Sequence, residues 1–188
     1  MEKIFQNELA SFKRYKGVCM KKIVAIVLVA VMIVSLAGCK KTKEADVKIK
    51  DLIDSIGEKI AKDVGVSSKE ELDWNEVDLL SENGTAILEM MNLDPNIFEE
   101  AIYYENPLNV KADRIIIAKV KEEKDVNTVK LAFDELKKSQ ETDWEQYLPE
   151  QHEKVKNGQV FTKDKFVFYF VYDDVASIKK IVDDALVK

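Results

Sequence analysis

Beyond residue 39 this chain has no cysteine, and its 188 residues hold one histidine, three prolines and six glycines. Each scarcity closes a class of function. Without cysteine there is no disulfide, no thiol nucleophile and no Cys-ligated metal after that point. The 150 residues from Cys39 onward must hold a core without covalent staples, which a domain of that size can do. With so little glycine, no Gly-rich loop is available to cradle a phosphate, and nucleotide sites of the P-loop or Rossmann type are unsupported. The lone His152 has no second ring beside which to bind a metal. It lies among charged residues in Leu148-Pro149-Glu150-Gln151-His152-Glu153 and reads as an ordinary surface side chain. Ser55, Ser67, Ser68, Ser81, Ser139 and Ser177 lack the G-x-S-x-G context of an exposed nucleophile.

Positive charge is also short. The segment before Cys39 carries six of the 29 basic and two of the 35 acidic residues, so 23 basic face 33 acidic residues from Cys39 on, a net of −10. Such a domain repels nucleic acid, anionic lipid and anionic wall polymer. Basic or cationic partners are permitted.

What is present begins with an apolar run of 14 residues, Ile23 to Leu36, directly after Lys21-Lys22. A spanning helix needs about 20 apolar residues, a signal-peptide core only about 7–15. The run closes on Leu36-Ala37-Gly38-Cys39. Small residues ending in cysteine after a basic-then-apolar segment resemble the lipobox of bacterial lipoproteins. The resemblance implies that Cys39 receives a diacylglyceryl group, that the chain is cut before it, and that the remainder is tethered to the extracytoplasmic face of the cell membrane. Met20-Lys21-Lys22 is already a complete basic start. Lys16-Gly17-Val18 can be encoded by a sequence that reads as a ribosome-binding site. Residues 1–19 are therefore expected to precede the true start at Met20. The expected organisation is an upstream extension at 1–19, a lipoprotein signal at 20–38, a lipidated cysteine and tether at 39–46, and one domain at 47–188.

Within that domain, Ile49, Leu52, Ile53, Ile56, Ile60 and Val64 step by three and four, predicting a helix over 46–63 with Gly65 as its stop. Ser68 and Glu71 have capping-box spacing. Trp74 to Leu80 holds no clean period. Asn83-Gly84 predicts a turn, and Thr85–Met91 one or two helical turns. Asp94-Pro95 is a further break. Glu100–Glu105 and Arg114–Val120 read as strands, the second apolar on both sides at its start. Lys124–Tyr147 predicts a long helix with Val126, Val129, Phe133, Leu136, Gln140, Trp144 and Tyr147 inward. A short helix at Glu150–Lys156 follows. Gln159–Thr162 and Phe166–Tyr172 predict a hairpin around Lys163-Asp164-Lys165, with the aromatic run as an inner strand. Asp173-Asp174 is placed to cap a last helix with Val175, Ile178, Val182 and Ala185 inward. The fold class expected is α+β: an antiparallel sheet of about four strands with helices on one face.

Three acidic pairs invite a test for hydrolase chemistry: Glu99-Glu100, Asp173-Asp174 and Asp183-Asp184. Neighbouring carboxylates point to different sides of a strand, or about 100° apart on a helix, and do not by themselves converge on a bond. Asp183 and Asp184 follow Lys179 and Lys180 by four residues, the spacing of surface ion pairs. Asp94-Pro95-Asn96 is too short for a calcium loop. No metal site and no cofactor are expected. The Pro- and Asn-bearing loops Asp94–Asn96 and Asn106–Asn109 flank the first two strands and are the candidate binding loops, with Asp94, Asn96, Asn106 and Asn109 as their polar residues.

Ala112-Asp113-Arg114-Ile115-Ile116-Ile117-Ala118-Lys119-Val120, Tyr147-Leu148-Pro149-Glu150-Gln151 and Val155-Lys156-Asn157-Gly158 together resemble a family of small Gram-positive lipoproteins catalogued as a domain of unknown function, of the 4358 type. The resemblance covers about 45–188. It departs at the hairpin, where Asp164-Lys165 stands for the family's Gly-Asn. It implies a lipid-anchored single domain and carries no activity to transfer. The functional expectation is a binding module on the membrane, engaging an envelope protein or small ligand and no nucleic acid, and not an enzyme. The alternative is an envelope hydrolase using paired carboxylates.

Overall fold

The apolar steps of the first predicted helix close into α1 (Ile49–Val64). Ile49, Leu52, Ile53, Ile56 and Ile60 lose essentially all contact with solvent along one stripe. Gly65 stops the helix in the left-handed region at φ 83°, its N–H donating to the Ala61 carbonyl at 3.0 Å. The other end is capped from a distance: Ile49 N–H donates to the Glu100 carboxylate at 2.8 Å. The computed structural model describes residues 47–187. The expectations for the extension, the signal and the tether, including Leu36, Ala37, Gly38 and Cys39, lie outside the described residues.

Five strands form one antiparallel sheet in the order β1-β2-β3-β5-β4. They are β1 (Asn75–Asp78), β2 (Phe98–Glu105), β3 (Arg114–Val120), β4 (Gln159–Lys163) and β5 (Phe166–Val171). The aromatic run of β5 is buried at all six positions and lies between β3 and β4, as its apolarity requires. The β4–β5 turn is Asp164-Lys165, with Lys163 inside the strand. Asp164 takes φ 50°, a left-handed position that Asp tolerates.

The remaining helices are α2 (Thr85–Met90), α3 (Val126–Glu145), α4 (Pro149–Asn157) and α5 (Val175–Leu186). One face of the sheet, with Ile116, Ala118, Val167 and Tyr169, packs against Val129, Phe133 and Trp144 of α3, Val155 of α4 and Leu88 of α2. The opposite face, with Ile115, Ile117, Phe166, Phe168 and Phe170, packs against α1 and α5. The architecture is α+β, as expected, but helices cover both faces of five strands. The reason is visible in β3 and β5: strand side chains alternate between faces, so a run apolar at every position has two faces to cover.

Other local differences have local causes. β1 carries Asn, Glu and Asp and is largely exposed, so only its pairing with Ile102–Glu105 identifies it as a strand. The Ser68 capping box does not form. Ser67 N–H donates to Glu71 instead, and Lys69–Leu72 is a 3-10 turn. α3 ends at Glu145, so Tyr147 lies 56% exposed rather than inward. In α5 Leu186 is buried, while Ala185 is only partly covered. Gly84 approaches the Asp78 carbonyl and Leu79 backbone so closely that no Cβ fits.

Candidate functional site

Strand register creates the site. Glu105 lies opposite Arg114, and Arg114 opposite Val171. The residues leaving β2, entering β3 and leaving β5 therefore emerge side by side at one end of the sheet. Asn106, Lys111 and Asp113 of the β2–β3 connection meet Tyr172 and Asp173 there. The C-terminal end of α1, with Val64 and Val66, closes one side together with Leu72 and Trp74. Glu71 and Lys154 complete the lining of a cleft of about 280 Å³.

Its polar centre is a charge triad. Lys154 Nζ donates to Asp113 Oδ1 at 2.7 Å and lies 3.1 Å from the Asp173 carboxylate. The Lys154 and Asp113 side chains are only 9% and 7% exposed, that of Asp173 77%. Burial alone pulls the lysine pKa down, but the two carboxylates outweigh it and hold the ammonium above its ordinary value. Tyr172 Oη donates to Asp63 Oδ2 at 3.0 Å, and Asp63 also receives Lys59 at 2.6 Å. Burial first, then the Asp63 hydrogen bond, raises the Tyr172 pKa.

The triad is fixed by the backbone. Ala112 N–H donates to the buried Gln151 Oε1 at 2.9 Å. Gln151 and Lys154 stand one turn apart on α4, so the same helix face holds Ala112 by its amide and Asp113 by its carboxylate. Segments 40 residues apart in the chain, Ala112-Asp113 and Gln151 to Lys154, thus meet at the cleft.

The predicted loops separate. Asp94 Oδ1 accepts from both Asn96 N–H and Asn96 Nδ2 at 2.9 Å, closing the 3-10 turn Pro95–Ile97. Asn106 Oδ1 accepts Leu108 N–H at 3.0 Å, and Asn109 is exposed in the same loop. The two loops sit at opposite ends of the eight-residue β2, about 23 Å apart at ~3.3 Å per residue. Asn106 lines the cleft, and Asp94 and Asn96 are at the far end of the strand. His152 is half-buried on α4, its backbone N–H donating to Leu148.

The acidic pairs disperse as well. Glu99 receives Lys119 at 2.8 Å, and Glu100 caps α1. Asp173 faces Lys154, while Asp174 accepts Ser177 N–H as the cap of α5. Asp183 receives Lys163 and Asp184 receives Lys180. Among the described residues no group of three or more His, Cys, Asp or Glu side chains is placed to hold a metal ion, and no helix is long and apolar enough to cross a membrane.

Residues 73–172 of the 188 match the profile of a family described as a domain of unknown function, DUF4358. The chain belongs to this family. No curated protein and no solved structure matches it. The DUF4358 segment spans all five strands and α2 to α4, and stops short of α1 and α5. Asp113, Lys154, Trp74 and Tyr172 of the cleft lie inside it. The sequence reading did not single out Lys154 or Asp113 as site residues. The available signal was a carboxylate at the mouth of an apolar strand, and a lysine one helical turn after Gln151.

Proposed function

We propose that the chain is a lipid-anchored extracytoplasmic binding module whose DUF4358 domain presents the cleft to a small ligand or an envelope protein. The observation that carries this is the cleft itself: apolar walls around a hydrogen-bonded charge triad, its Lys154–Asp113 pair buried and its Asp173 exposed, the composition of a recognition site. Position supports it. α1 starts beside Glu100 at the beginning of β2 and ends at the cleft with Val64, so its 16 residues put about 24 Å between the tether's point of attachment and the cleft. The dispersal of the three acidic pairs supports binding over the hydrolase alternative, since no two carboxylates converge within any pair.

Detergent partitioning tests the anchor. Wild-type protein is expected in the detergent phase and Cys39→Ala in the aqueous phase, because diacylglyceryl supplies the two chains that stable anchoring takes. A Cys39→Ala protein cut at the same place and still in the detergent phase refutes it. His152→Ala is expected to leave function intact, and its loss in a folded variant would favour the enzyme.

A further inference from the structure

Asp113 is buried, yet one of its oxygens is uncommitted. Oδ1 takes Lys154, and no donor among the described residues reaches Oδ2. Among the buried polar side-chain atoms of those residues, Tyr104 Oη alone lacks a partner while cut off from solvent. Asp113 Oδ2 is therefore open, and the open space beside Asp113 is the cleft. A carboxylate oxygen in that position accepts hydrogen bonds and donates none.

Charge points the same way. Asp113, Lys154 and Asp173 sum to −1, and the remaining charged lining, Glu71 and Lys111, cancels. The chain from Cys39 on carries −10. A cation entering the cleft neutralises the triad, whereas an anion meets two carboxylates and the field of the whole domain. Leu72, Trp74 and Val66 line the apolar side. They offer an apolar wall suited to a hydrocarbon body, and about 280 Å³ is space for a ligand about the size of one or two residues.

We infer that the cleft binds a primary ammonium on an apolar stem, the ammonium seated between Asp113 Oδ2 and Asp173 and the stem against Leu72 and Trp74. A peptide amino terminus and a lysine side chain share this chemistry. The inference rests on the binding-module reading above and adds the ligand class.

The test uses the full chain in neutral detergent with Trp144→Phe, which leaves Trp74 as the sole tryptophan and a reporter in the cleft. The probes are leucine amide, N-acetyl-leucine amide and N-acetyl-leucine, which share one side chain and carry charges of +1, 0 and −1. Nα-acetyl-lysine amide is the fourth. The expected result is a Trp74 emission change with leucine amide or acetyl-lysine amide at concentrations at least tenfold below those the neutral and anionic probes require. The better of the two amines identifies the source. Asp173→Asn, at an exposed position that leaves the fold intact, is expected to weaken the amine at least fivefold. An equal or stronger response to the neutral or anionic probe overturns the ammonium inference and leaves the cleft as a binding site. An unchanged amine response in Asp173→Asn also overturns the inference. No response to any probe overturns the ammonium inference, while the binding-module reading stands or falls on its own tests.

Discussion

Asp113 and Lys154 depend on each other. Each is more than nine-tenths buried as a side chain, and they meet at 2.7 Å. Taking two charges out of water is tolerable only while both are present. Lys154→Met leaves Asp113 buried without its main counter-ion. The expected loss is about 2–3 kcal/mol, at or below the lower end of the range for breaking a buried pair, because the cleft admits water to Asp113. Denaturant midpoints measure it, and an unchanged midpoint contradicts the triad. Asp113→Asn combined with Lys154→Met is expected to cost less than the sum of the two single changes. Some of this residue-scale order was legible beforehand. Gln140 sits in the inward stripe of α3 and is buried, where its Oε1 accepts the Tyr169 hydroxyl at 2.7 Å. Its period placed it, but only the facing strand explains why a polar residue is tolerated there. Asp174 was also legible as a cap, because capping acts within one turn.

At the scale of elements, the family segment 73–172 covers one layer of helices and the sheet, while the second layer, α1 and α5, lies beyond it on both sides. Ile115, Ile117, Phe166, Phe168 and Phe170 face that second layer. Uncovering five such side chains forfeits about 1.5–3 kcal/mol each. That total rivals the ~5–15 kcal/mol by which a whole domain is stable. A fragment limited to residues 73–172 is therefore expected to aggregate or lose fixed packing. Near-ultraviolet circular dichroism and size exclusion decide this. A monomeric fragment with a cooperative melt would show that α1 and α5 are accessory. Long helices and the apolar strands were readable because their period is a local property. β1 was not, since its four residues bury little and owe their conformation to hydrogen bonds with β2.

For the molecule as a whole, the titrating groups predict a stability plateau with two falling limbs. Burial pushes Tyr103 up to about 12 and also raises Tyr104, Tyr169 and Tyr172 above the ordinary 10. Lys154 is held above 10.5 by Asp113 and Asp173 against the pull of burial. In the unfolded chain these groups release protons that the native state retains, so stability falls as pH rises above about 10. Asp54 and Glu76 shift the other way. Burial opposes, but hydrogen bonds from Lys50 and Lys69 hold both below their ordinary 3.8 and 4.5. The unfolded chain then takes up protons that the native state refuses, so stability falls as pH drops below about 4.5. Thermal melts across pH measure both limbs, and stability still rising between pH 10 and 11 contradicts the buried tyrosines.

The sequence by itself determined where the long helices and the apolar strands lie, which of their faces are apolar, and that the chain beyond Cys39 holds no thiol and no Gly-rich phosphate loop. These follow from composition and from periods spanning only a few residues. Tertiary structure decided which partner covers each apolar face, and it alone built the cleft. Lys154 meets Asp113 across 41 residues of chain, and Tyr172 meets Asp63 across 109. Both contacts exist because strand register sets the ends of β2, β3 and β5 beside the end of α1. Local periodicity records that a face must be covered, but the identity of the cover is fixed only when the whole chain is packed.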